Sequence, residues 1–246
     1  MKDNFSRQSE VYVKYRPTYP QELYDFILSK IEKRNTAWDC GTGNGQTAKE
    51  LAKYFEKVFA TDSSKKQIQN AHQADNIFYS VQFAEQTNFE ENSFDLVTVS
   101  QALHWFNVNK FYPEVKRVTK PRGWIAVWMY SLATISPEID KLINVKHYKE
   151  TLGTYWDYER KFVDDNYITL PFPFREIQCP VFKMQFKWTL EELKGYLNSW
   201  SALQKFIAVN QFNPVDKLIE EIKPHWHNEK MKLIFPVYMR MGQNEK

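Results

Sequence analysis

The sequence predicts an α/β domain built on a doubly wound, mostly parallel sheet with helices on both faces. Three observations carry that expectation. Short apolar runs alternate with segments whose apolar residues recur at helical spacing, a strand–helix–strand rhythm that implies right-handed crossovers. The runs Val97-Thr98-Val99 and Ile125-Ala126-Val127 are near-continuously apolar, as strands covered on both faces should be. Third, the chain has only seven glycines, and three of them (Gly41, Gly43, Gly45) fall inside five residues between one such run and the helical pattern that follows.

The elements follow in order. The first 35 residues are polar and Tyr-rich, and Pro17 and Pro20 favour an extended or turn entry. Residues 22–31 suit a short helix with Leu23, Phe26 and Ile27 inward. Residues 36–40 read as a buried strand, and 46–55 as a helix with Ala48, Leu51, Ala52 and Phe55 on one face. A second strand over 57–61 ends at Asp62, and a helix over 64–74 has Ser63 or Ser64 as its N-cap. Strands are expected over 77–83, 94–100 and 124–130, with a helix over 109–119 that stops before Pro121 and Gly123. Residues 134–175 are less regular, rich in Lys, Asp and Tyr, and read as helical cover inserted after the fifth strand. A strand over 181–188 leads into one long helix over 189–209, opened by Thr189 and Glu192 as a capping box. Asn213-Pro214 starts another helix with Val215, Leu218, Ile219 and Ile222 inward, and 232–241 is the last strand. No linker separates two halves, so residues 1–246 are expected to form a single domain.

Composition excludes several classes. Hydrophobic residues make up 43% and aromatics 16%, enough apolar surface to offset the ordering entropy of a folded chain. The formal charge is only +3, and residues 1–130 and 131–246 carry 17 and 16 basic against 15 and 15 acidic side chains. Without a long basic run there is no phosphate-tracking surface, so no nucleic-acid partner is expected. Two cysteines, Cys40 and Cys179, make no disulfide framework, and the N-terminus lacks the apolar core of a signal peptide. No apolar stretch approaches the roughly 20 residues a membrane span needs. The expectation is a soluble, reduced, cytoplasmic protein with no membrane partner. The histidines and cysteines show no metal-ligand spacing, and no G-x-S-x-G elbow is present.

The chemistry-bearing segment is Trp38-Asp39-Cys40-Gly41-Thr42-Gly43-Asn44-Gly45-Gln46. Glycines let the backbone turn sharply and approach a ligand, and the following helix N-terminus favours negative charge. A tight strand-to-helix turn without a ligand would use the same residues. Spacing decides which ligand. Dinucleotide sites want G-x-G-x-x-G, whereas here the pattern is G-x-G-x-G and position 46 is Gln. No Gly-Lys-Ser/Thr follows, which excludes a P-loop. Asp39, just before the turn, would repel a pyrophosphate but suits a ligand carrying an ammonium group. About twenty residues on, Asp62 ends the second strand, where a carboxylate can accept from two ribose hydroxyls.

These segments, with Phe83-Ala84-Glu85 and Phe94-Asp95-Leu96-Val97, resemble the ordered motifs of class I S-adenosylmethionine-dependent methyltransferases. Tyr15-Arg16-Pro17-Thr18-Tyr19-Pro20 and Ser100-Gln101-Ala102-Leu103-His104-Trp105-Phe106 resemble the trans-aconitate-methyltransferase-like subgroup, and the match covers about residues 8–130 most strongly. The resemblance implies a Rossmann-like, seven-stranded sheet whose last strand is antiparallel, with S-adenosyl-L-methionine as cofactor. It also implies roles by position. Asp39 and the backbone from Gly41 through Thr42 to Gly43 would hold the methionine part. Asp62 would take the ribose with Ser63 beside it, Ala84 and Glu85 would sit at the adenine edge, and Gln101 and His104 would line the methyl-donor pocket. Residues 1–35 would form an N-terminal lid, which with the 134–175 insertion would set the acceptor.

Methyl transfer from a sulfonium is an in-line displacement in which the protein mainly supplies alignment. Aromatic faces can stabilise the sulfonium, and Tyr12, Tyr15, Tyr19, Trp105, Trp128 and Tyr130 are the candidates. A carboxylate acceptor needs no base, only a cation to orient it, for which Arg16 is the candidate; His104 is the candidate base for a hydroxyl acceptor. The expected activity is methylation of a small molecule, on a carboxylate oxygen. Two other readings remain open at this point, an NAD(P)-dependent oxidoreductase and a non-catalytic cofactor-binding module of the same fold.

Overall fold

The computed structural model describes residues 18–246. A helix over Gln21–Leu28 (α1) precedes a regular alternation of strands and helices. It comprises β1 (Thr36–Cys40), α2 (Gln46–Leu51), β2 (Lys57–Asp62), α3 (Lys65–Gln69), β3 (Ile77–Val81), β4 (Phe94–Ser100), α4 (Val108–Val118) and β5 (Thr119–Tyr130). A short helix α5 (Pro137–Asp140) then runs directly into an eleven-residue π-helix, Lys141–Thr151, and α6 (Arg160–Asp164) follows. The chain ends with β6 (Arg175–Ile177), β7 (Phe182–Trp188), α7 (Leu190–Asn198), α8 (Ser201–Asn210), α9 (Pro214–Ile222) and β8 (Met231–Gln243).

The sheet has the order β3-β2-β1-β4-β5-β8-β6, with β7 also paired to β8. Strands β1 to β5 pair in parallel, and β8 lies antiparallel against β5. The seven strands expected therefore correspond to seven positions filled by eight segments. The outer position beyond β8 is shared end to end: β6 pairs with Met241–Gln243 of β8, and β7 with its Met231–Val237 portion. The β6 segment carries no apolar run, which is why periodicity does not reveal it.

Strand parity divides the core. On β5, Ala126, Trp128 and Tyr130 point into one cluster with α1, α2 and α7 to α9, while Ile125, Val127 and Met129 point into the other with α4 and Tyr167. Both faces of β4 are buried throughout Phe94–Val99, as its sequence requires. Asp95, on the same strand, sits at the end of the sheet opposite the glycine loop. It accepts from the Asn35 and Thr36 amides at 3.1 and 2.9 Å and from Lys120 at 2.8 Å, so this part of the motif is structural.

Three helical expectations change. The 46–55 and 64–74 helices are shorter, ending at Leu51 and Gln69. The single helix expected over 189–209 is two, interrupted at Ser199-Trp200. There the Ser199 hydroxyl donates back to the Tyr196 carbonyl at 2.6 Å and Trp200 turns extended, at φ −75° and ψ 131°. Such local hydroxyl–carbonyl bonding competes with the helical ladder. The capping box at Thr189 and Glu192 is present, with both of its bonds formed.

Candidate active site

The glycine loop joins β1 to α2 at the carboxyl ends of the parallel strands, where open α/β sheets bind ligands. Gly41, Gly43 and Gly45 all have positive φ, at +67°, +57° and +79°. A side chain at Gly41 would press on Ala102 and Phe106, and one at Gly45 would collide with the Tyr79 phenol. At Gly43 a side chain would meet nothing within 4 Å among the described residues, so among these the loop backbone is most open here.

Two carboxylates shape the loop. Asp39 is fully buried; its oxygens accept from the hydroxyls of Thr42 at 2.5 Å and Thr98 at 2.9 Å. Burial pushes its carboxyl up to about 6, while those hydroxyls favour the ionised form. Asp39 therefore lies beneath the loop, held by Thr42 and Thr98. Asp62 is tied to the loop from the other strand. One oxygen accepts from the Gly43 amide at 2.9 Å and the other from the Ser64 amide at 2.8 Å. These two amides orient the carboxylate. Ser63 follows directly, and the Gln82 amide bonds the Asp62 carbonyl at 3.1 Å, which brings the segment after β3 alongside. In that segment Ala84 is buried and Glu85 accepts from the Asn107 amide at 2.8 Å, at the start of α4.

Beyond β4 and β5 the chain encloses a second space. A cavity of about 60 Å³ is lined by Gln101, His104, Trp105, Tyr130, Trp156, Asp157, Arg160 and Trp200, among others. Gln101 is held at φ +53°, in the left-handed region uncommon for residues other than glycine, and its side-chain oxygen accepts from the Tyr130 amide at 2.8 Å. His104 is buried, its Nδ1 2.8 Å from the Tyr167 hydroxyl. Burial, and then the charge of Arg160, lowers its pKa to about 3, so the ring is neutral at physiological pH.

Among the described residues lining this space, Arg160 is the cation, and nothing in the sequence pattern singles it out. Its Nε donates to the Tyr148 hydroxyl at 2.7 Å and to Asp164 at 3.2 Å, and its guanidinium lies 5.3 and 5.0 Å from the Tyr148 and Trp156 ring centres. Among the described residues none hydrogen-bonds its two terminal nitrogens, and Arg160 lines the cavity. The nearby acid, Asp157, is already paired with Lys205 at 2.6 Å. Of the aromatic candidates, Trp105 and Tyr130 line the cavity, Tyr19 packs edge-on to Trp128 at 5.6 Å, and Trp128 is core. Arg16, Tyr12 and Tyr15 lie outside the described residues.

A family model for the methyltransferase domain matches residues 38–127, the span from the glycine loop to β5. A Dictyostelium discoideum protein that carries a methyltransferase designation is 37% identical over 99% of this chain and 95% of its own length. The chain belongs to the class I S-adenosylmethionine-dependent methyltransferases. A Saccharomyces cerevisiae methyltransferase designated as S-adenosylmethionine-dependent is 26% identical over 94% of the chain and 92% of its own length. Among solved structures, a protein from Anaeromyxobacter dehalogenans designated a type II methyltransferase superposes with a TM-score of 0.87 at 31% identity, covering 94% of this chain and 98% of that one. The oxidoreductase and non-catalytic readings give way to this membership.

S-adenosylmethionine is accordingly the methyltransferase's cofactor, and the residues present fit it. The loop backbone is open at Gly43, and a carboxylate oriented by amides stands at the end of β2. Among the described residues there is no cluster of three or more metal-ligating side chains, and no helix long and apolar enough to cross a membrane.

Proposed function

We propose that this methyltransferase acts on a small organic acid and methylates a carboxylate oxygen. The observation that carries the reading is the Arg160 fork in an aromatic-walled cavity beyond β4 and β5. A guanidinium matches a carboxylate with two parallel hydrogen bonds and stays charged at every physiological pH. Arg160 takes the orienting role expected of Arg16, and the stacking of its guanidinium near Tyr148 and Trp156 holds the fork in place. The resemblance of residues 15–20 and 100–106 to trans-aconitate-methyltransferase-like enzymes supports the same reading.

The cofactor, when bound, supplies an electrophilic methyl group on a sulfonium. The protein's part is to hold and align. The backbone of Gly41, Thr42 and Gly43 carries the methionine part, and Asp39 acts through the loop by fixing Thr42. Asp62 accepts from the ribose hydroxyls with Ser63 beside it, Ala84 and Glu85 border the adenine, and Gln101 closes the floor between the two spaces. The 134–175 insertion contributes to the cover that sets acceptor choice; most of the expected N-terminal lid lies outside the described residues.

The test is release of S-adenosylhomocysteine across a panel of aliphatic mono- and dicarboxylic acids, with the product checked as a base-labile ester. Turnover on an acid that falls about 100-fold in Arg160→Gln supports the reading. Turnover only on amines or phenols overturns it.

A further inference from the structure

The Tyr167–His104 pair bears on which ring nitrogen carries the proton. Tyr167 is about 1% exposed, and its hydroxyl lies 2.8 Å from His104 Nδ1. A buried phenol O–H needs an acceptor, because leaving it unmade carries the full desolvation penalty. Among the described residues, His104 Nδ1 is the acceptor within reach of this hydroxyl. Were Nδ1 protonated, the phenol hydrogen would have no acceptor among the described residues. The remaining proton on the neutral ring then belongs to Nε2, which has no partner among the described residues, on a side chain that lines the cavity.

The backbone fixes where the phenol sits. Asn166 and Tyr167 are consecutive left-handed residues, at φ +58° and +62°, and a bulky side chain there is a genuine outlier. The conformation is held from three sides: the Tyr167 amide bonds the Phe162 carbonyl at 2.7 Å, Arg240 bonds the Tyr167 carbonyl at 3.0 Å, and Ser131 meets Asn166 at 2.9 Å. The structure thus accepts local strain to deliver one phenol to one imidazole.

We propose that Tyr167 holds His104 in its Nε2-protonated form, so that His104 serves the acceptor cavity as a neutral hydrogen-bond donor and not as a base. Arg160 and the His104 N–H are then two donors on the same cavity, whose lining carboxylate, Asp157, is paired with Lys205. Such a site suits an acceptor oxygen that arrives already anionic, and does not activate an alcohol or phenol that must first lose a proton. This deepens the organic-acid reading and rests on it for the identity of the acceptor, but the proton assignment itself does not depend on any substrate.

The experiment is nitrogen-15 NMR of the histidine rings of the full chain at pH 7, with the His104 signals identified by their loss in His104→Gln. A proton-bearing signal at Nε2 and an unprotonated one at Nδ1 are expected, and Tyr167→Phe should mix the two tautomers. An Nδ1-protonated ring in the wild type overturns the proposal, whether or not Tyr167→Phe folds. Kinetics supply the second arm, with turnover measured on the acid the organic-acid panel identifies. His104→Gln retains an N–H near the Nε2 position and cannot act as a base, so it should stay within about tenfold of wild type while His104→Ala falls further. Equal, severe losses in both variants, with a rate that rises through a single ionisation near neutral pH, would establish a base and overturn the donor role. Failure of every organic acid, with the Nε2-protonated signal present, removes the organic-acid reading and leaves the proton assignment standing.

Discussion

The cofactor cleft and the acceptor cavity lie side by side at the same edge of the sheet, yet they are built by opposite means. The cleft is made by backbone: three left-handed glycines, an amide on each Asp62 oxygen, and a buried carboxylate that clamps Thr42. Its residues come from short stretches at the ends of β1, β2 and β3. The cavity is made by side chains brought from far apart in the chain. His104 meets Tyr167 across 63 residues, and Arg160 is walled by Tyr148, Trp156 and, one ring further out, Trp200. A backbone cradle tolerates little change and recognises one ligand, whereas a side-chain box can be re-lined without disturbing it. The two regions should therefore fail separately.

The sharpest break is Arg160→Gln. Losing two charge-assisted bonds, at about 1.5–3 kcal/mol each, should lower kcat/KM on an organic acid by about 100-fold or more. Cofactor affinity, measured by calorimetry, should stay within twofold. Equal loss of both would mean the regions are one unit. The converse substitution, Asp62→Ala, should weaken S-adenosylmethionine binding by at least about tenfold, because it also strands the Gly43 and Ser64 amides it now holds. Gly45→Ala tests the cradle's rigidity: a left-handed alanine pressed on the Tyr79 phenol should lower stability by roughly 2 kcal/mol, read from denaturant midpoints.

Acid titration separates the regions by sign. Asp39 has an ordinary value of 3.8 and a folded value of about 6, so between these the native state holds more protons than the unfolded one. Its contribution to stability therefore declines as pH rises through that window, by up to roughly 3 kcal/mol. His104 runs the other way. With an ordinary value of 6.5 and a folded value of about 3, it holds fewer protons in the native state, and stability declines as pH falls below about 6.5. His147, lowered by burial to about 4, adds to the same acid loss. Unfolding midpoints at pH 4 to 7 should show a steeper acid loss in Asp39→Asn and a shallower one in His104→Gln. Identical slopes in both would refute the assignment. The smallest effect lies outside both regions, where Thr189→Ala should remove the capping box at about 1 kcal/mol.

The same contrast explains what could be read from sequence. Strands at 36–40 and 94–100 and the loop between β1 and α2 are legible because each is a local pattern: apolar residues in succession, or glycine where left-handed backbone is required. Asp62 and Gln101 are legible because the strand ends position them. The direction of the Asp39 side chain was not, since nothing local distinguishes a carboxylate above a loop from one beneath it; Thr98, 59 residues away, decides that. Arg160 and Tyr167 sit in a Lys-, Asp- and Tyr-rich stretch with no periodicity, and their roles exist only through Tyr148, Asp164 and His104. The break at Ser199-Trp200 was hidden by an unbroken run of helix-compatible residues.

The π-helix Lys141–Thr151 carries Tyr148, the residue that grips Arg160 Nε. Such wide turns are rare and hold one more residue per hydrogen-bonded ring than an α-helix. In an α-helix each residue turns the side chain by about 100°, so loss of one residue here would swing Tyr148 away from the guanidinium while leaving β1 to β5 untouched. A one-codon insertion or deletion could thus retune which molecule is methylated in a single step, with the methyl-donor machinery inherited intact.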